Sequence, residues 1–133
     1  MASRSVLATA ALAAATVLGL AMPAHAAVTN VSTVNNYAGA RYDSSIDTFT
    51  VWDNGPRPYQ PDDGYYARLV VKKVNTSLTF TRTHEWRSGI NGQSRNFVLP
   101  DTFRSGDQIS ISICSVFKST GSAEECRNGT AWV

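Results

Sequence analysis

Residues 108–117 read QISISICSVF, and this stretch decides the fold: Ile109, Ile111 and Ile113 alternate with Ser110, Ser112 and Cys114. An alternation of period two puts the isoleucines on one face of a strand and the polar groups on the other, the pattern of a half-buried strand in an antiparallel sheet. Outward from it the same reading repeats. Residues 65–74 (YYARLVVKKV) place Ala67, Leu69 and Val71 on one face and Val70 and Lys72 on the other. Residues 77–83 (SLTFTRT) set Leu78 and Phe80 against a threonine face, and residues 46–52 (IDTFTVW) put Phe49 and Val51 together. Residues 96–99 form a short strand stopped by Pro100, and residues 130–133 a last one. No segment sustains a 3.6-residue apolar period over three turns.

The turn residues agree. Asn54-Gly55, Asp63-Gly64, Asn91-Gly92, Ser105-Gly106-Asp107 and Thr120-Gly121 fall between the runs, where residues tolerant of positive φ are needed. About seven short strands in one small domain predict an all-β chain, a small antiparallel β-sandwich of immunoglobulin-like or related topology, with a small barrel as the other solution.

Ahead of this domain, residues 1–26 have the layout of a signal peptide: a basic start at Arg4, an apolar run over residues 6–22, and Ala24-His25-Ala26 as the cleavage site. The run is diluted by Thr9, Thr16 and Gly19 and is short for a membrane span. Its alanine-rich core points to a bacterial exporter. Cleavage is expected to release a mature chain of residues 27–133, without a membrane span, to the extracellular space. That chain carries eleven basic and ten acidic residues, a balance that implies neither nucleic acid nor an anionic membrane as partner.

Cys114 and Cys126 are the only cysteines, and in an oxidising compartment they are expected to pair. The closed loop of about 13 residues is worth roughly 3 kcal/mol. Two cysteines twelve apart, with the mature chain's lone histidine, His84, distant in sequence, give no zinc spacing, and no cofactor is implied. Asp53, Asp62 and Asp63 lie in a carboxylate-rich stretch, but its prolines break the spacing of a calcium loop. Asn30, Asn75 and Asn128 begin glycan-acceptor triplets, common by chance in such chains.

Catalysis finds little support. His84 would have to be the base of any Ser-His-Asp arrangement, yet no nucleophile-elbow pattern occurs, and a histidine ending a threonine-rich strand beside Glu85 and Trp86 is expected at the surface or in a turn. No catalytic residue is assigned. The aromatics carry more information: Trp52, Tyr59, Tyr65, Tyr66 and Trp86, with Arg57 and Arg87 nearby, have the composition of a recognition surface. The stretch over residues 27–42 is poor in charge and large apolar groups. Through Val28, Val31 and Val34 such an extended arm either closes the domain's own sheet, the commoner outcome, or adds a strand to a partner.

The plan of leader, polar arm, β domain and one cysteine pair resembles that of small secreted actinobacterial proteins. Among these are the adaptor subunits of umbrella toxin particles, which link a lectin subunit to a large toxin subunit. The resemblance is one of layout over the whole chain and carries no residue roles across. It implies assembly work, with a secreted toxin or lectin-like subunit as partner. Two other expectations come from the residues themselves: a hydrolase inhibitor presenting the proline-rich loop of residues 53–64, or a carbohydrate-binding module stacking sugars on Trp52, Trp86 and the tyrosines.

Overall fold

The computed structural model describes residues 27–57, 60, 62–86 and 94–133; the leader, Tyr59 and Arg87 lie outside them. Eight strands form two antiparallel sheets. In sheet A, β1 (Val28–Ser32) pairs with β2 (Ala38–Asp43), β2 with β3 (Thr48–Asp53), and β3 with β6 (Ser94–Val98). In sheet B the order is β5 (Thr79–His84), β4 (Tyr65–Lys73), β7 (Gln108–Phe117) and β8 (Ala123–Trp132). Leaving out β1, the other seven strands follow an immunoglobulin-like order in which the fourth of the seven lies beside the third.

The inner faces are those the alternation marks. Phe49 and Val51 from sheet A meet Leu69, Val71, Ile109, Ile111 and Ile113 from sheet B, all nearly inaccessible. Tyr42 stacks on Phe49 with ring centroids 4.6 Å apart, and its hydroxyl donates to Asp47 Oδ1 at 3.0 Å. Burying such side chains is worth about 1.5–3 kcal/mol each, the main favourable term of the fold.

Residues 27–42 fold within the chain. β1 pairs in register with β2 from Val28 opposite Asp43 to Ser32 opposite Gly39. Val31 is buried against the far sheet, over Gly129 of β8, where an added Cβ would lie 2.5 Å from Val31 Cγ2. The missing side chain of Gly129 is what lets β1 close the sandwich edge. Beyond β1, the Val34 amide donates to Glu125 Oε1 at 2.6 Å. β1 is therefore a core strand as well as an edge strand.

β8 is longer than the four residues expected at the C-terminus and contains Cys126 itself. Cys114 and Cys126 face each other directly across the β7–β8 ladder and are joined by the disulfide, with 4.1 Å between their Cα atoms.

Candidate functional site

Because the strands alternate in direction, the connections sort to two ends. The β1–β2, β3–β4, β5–β6 and β7–β8 connections share one end, here the loop end; the β2–β3, β4–β5 and β6–β7 connections share the other. Hydrogen bonds between the loop-end connections fix this sorting. The Tyr37 carbonyl accepts from the Asn54 and Gly55 amides at 2.7 and 2.9 Å, tying the first connection to the second. The Lys118 amide donates to the Gly64 carbonyl at 2.8 Å, tying the second to the fourth.

Two ionisable side chains complete the bracing. Asp53, the last residue of β3, is 2% exposed. Its Oδ1 accepts from the Gly55 amide at 3.1 Å and its Oδ2 from the Trp86 amide at 3.1 Å, so one carboxyl holds the connections after β3 and β5. Burial pushes its pKa up to about 7, against the two amide donors; Asp63 adds repulsion and Lys118 attraction. Lys118 is the second brace, with its ammonium against Glu85 and, at 3.2 Å, Asp62. Partial desolvation works against the charge, but the hydrogen bonds to Glu85 and Asp62 outweigh it, and its pKa lies above the ordinary lysine value.

Gly55 and Gly64 both have positive φ, at 56° and 84°. At Gly55 the need is double, because an added Cβ would fall on the Asp63 carboxylate. The Asp63 Oδ1 accepts from the Tyr65 amide at 2.9 Å, an Asx turn that starts β4.

His84 corrects the sequence reading. Expected at the surface or in a turn, it is 1% exposed and faces the interior. It pairs with Ala67 across β5–β4, and Ser115 pairs with the same Ala67 across β4–β7, so both project inward on either side of a methyl group. Asp53, His84 and Ser115 are each 2% exposed or less. The residue types of a hydrolytic triad thus all lie toward one end, each with almost no accessible surface. Among the described residues, no three His, Cys, Asp or Glu side chains are grouped to hold a metal ion, and no helix is long and apolar enough to cross a membrane.

The fold brings most of the sequence-selected surface residues to the loop end. Trp52, next to last in β3, lies on the outer face of sheet A, half-buried, with its ring over Gly39 and Nε1 donating to Asn36 Oδ1 at 2.8 Å. Arg57 is exposed in the β3–β4 connection, and Val34 is exposed in the first. Tyr65 lies against Phe117 with ring centroids 5.1 Å apart, and its hydroxyl donates to Glu124 Oε2 at 3.1 Å. Tyr66 lines a shallow hollow of about 280 Å³ with Thr83, His84 and Glu85, and Trp86 follows directly, half-buried. Val28 lies at the opposite end and Val31 in the core. Lys118 escaped the sequence reading, since a lone lysine after a strand gives no local signal of two carboxylates reaching it from other loops.

The class so defined is an immunoglobulin-like sandwich with an added edge strand, a cross-strand disulfide and one braced loop end. No protein-family model, no curated protein and no solved structure matches the chain.

Proposed function

We propose that the protein is a secreted, non-catalytic adaptor that binds another exported protein through its loop end. One observation carries this reading: Trp52, Arg57, Tyr65, Tyr66, Trp86 and Val34, scattered over more than fifty residues of sequence, converge on one end of the sandwich, where buried hydrogen bonds hold the loops. Aromatic and arginine side chains on a rigid frame are the composition of binding hot spots, and bracing in advance lowers the ordering cost of association. In immunoglobulin-type domains the corresponding loops carry recognition, which is support by analogy of fold. The burial of Asp53, His84 and Ser115 supports a structural role for them over a catalytic one. The assembly proposed is the one the layout suggests, an extracellular antibacterial particle in which this subunit joins a toxin subunit to a lectin-like one.

The test is co-purification of the tagged chain with exported proteins from its native culture medium, beside Tyr66→Ala and Trp86→Ala variants checked for native circular dichroism. A stoichiometric partner that the variants lose at least 10-fold is the expected result. A chain recovered alone, or a partner indifferent to both substitutions, overturns the reading. Point substitutions are needed for this test, since deleting residues 27–41 would remove buried Val31, Ala38 and Ala40 with β1 and four of the six residues of β2.

A further inference from the structure

The outer face of sheet B is a second surface, distinct in chemistry from the adaptor reading; only its Arg68 row, beside Thr83, borders the loop-end hollow. Its rows follow from the pairing: Gln108 lies opposite Trp132, Lys72 beside Ser110 and Thr130, Val70 beside Ser112 and Asn128, and Arg68 beside the disulfide. Three features set it apart. Trp132 is 61% exposed at one end, although its neighbour Ala131 is buried and its own ring lies free of the core. Between that ring and the disulfide run uncharged hydroxyl and amide side chains, over a shallow groove of about 430 Å³ that Lys72, Ser112 and Asn128 help to line. The charges on these rows are all positive: Lys72 and Arg68, four residues apart on β4 and so roughly 13 Å apart along it. Among the described residues neither is paired with a carboxylate, and Glu85, just after β5, and Glu124, in β8, are engaged with Lys118 and Tyr65.

We infer that this face binds an acidic polysaccharide, a chain of uronate-type sugars laid along β4, β7 and β8. A sugar ring has an apolar face that stacks on an indole, equatorial hydroxyls that exchange hydrogen bonds with serine, threonine and asparagine, and in this class a carboxylate for each cation. Charge complementarity singles out the acidic class, since a neutral glycan leaves Lys72 and Arg68 without a role and a polycation is repelled. Nucleic acid fits less well: its affinity comes from many phosphate contacts, and two cations on a nearly neutral chain supply few.

The experiment is retention of the full mature protein, at low and at physiological salt, on immobilised polygalacturonate, neutral dextran and single-stranded DNA. Retention on polygalacturonate is expected, with affinity falling at least 10-fold in Trp132→Ala and in the double variant Lys72→Gln, Arg68→Gln. Arg95→Gln, which removes an arginine lying over Phe97 on the other sheet, is expected to bind as the parent does. No retention on polygalacturonate overturns the inference, as does equal retention on dextran or on DNA. An equal loss in Arg95→Gln also overturns it, because that outcome is unspecific cation exchange. The substitutions and probes differ from those of the adaptor test, and Trp132 and Lys72 lie toward the opposite end from Tyr66 and Trp86, so failure here leaves the adaptor reading standing, and failure of the adaptor test leaves this one standing.

Discussion

The two ends of the sandwich use the same residue type in opposite ways. At the short-turn end, Asp43 accepts from the Ser45 amide at 3.0 Å and from its hydroxyl, while Asp107 takes the Lys73 ammonium and the Arg104 amide, each at 2.8 Å. Both carboxyls are held below the usual aspartate range, chiefly by those hydrogen bonds. At the loop end, Asp53 also accepts two hydrogen bonds, yet its pKa rises to about 7, because burial outweighs them. Asp43 is satisfied within its own turn, and Asp107 by its own turn together with Lys73 of β4. The loop end is held from inside by a carboxyl whose charge is costly. Such a brace links two connections that local turns alone would leave separate, and it ties their order to protonation.

The largest effect that would break this contrast is expected from Asp53→Ala. It leaves the Trp86 amide without its acceptor and is expected to cost about 2–3 kcal/mol in urea unfolding. A cost below about 0.5 kcal/mol would mean that the loops hold themselves.

Next comes pH. A carboxyl with a raised folded pKa contributes stability that is complete below its unfolded value near 4 and is lost as pH rises through about 7. Asp43 and Asp107 run the other way: their contribution is present above the unfolded pKa and is lost as pH falls through their lowered values. The melting temperature is therefore expected to be higher at pH 5 than at pH 8, by about 5 °C. Asp53→Asn is expected to flatten that slope while leaving the loss below pH 4 intact. An unchanged slope would place the titrating group elsewhere.

Lys118→Met, read in the same way, is expected to cost about 1 kcal/mol or less, since the ammonium is partly solvated. Its signature is faster amide exchange in residues 62–66 with residues 44–47 unaffected. Asp43→Asn is expected to have the smallest effect, confined to local exchange at Ser45, because its partner Ser45 is exposed and the contact lies within one turn.

How much of this was legible depends on where each signal sits. β7 and β4 could be read directly because their inner residues are bulky and alternate, and Ile109, Ile111, Ile113, Leu69 and Val71 are all buried. β8 (AEECRNGTAW) has one buried hydrophobic residue, Ala131, and no alternation; its extent is set by the ladder that β7 offers. β2 begins with Ala38, Gly39 and Ala40, small because Val31 and Trp52 pack over or beside them, and small residues carry little strand signal. The aromatic residues of the candidate site were legible by type. Their convergence was not, because it depends on which connections share an end. The burial of His84 was hidden for the same reason, being set by Ala67 across the ladder.

The central claim is that the braced loop end is where another protein docks. The most direct test is hydrogen–deuterium exchange of the full mature chain, alone and in its purified complex. The account predicts protection in residues 54–57, 62–66 and 118–122 on binding, with the short turns at 44–47 and 74–78 unchanged. Protection at those short turns, with the loop end exchanging as in the free chain, would contradict it.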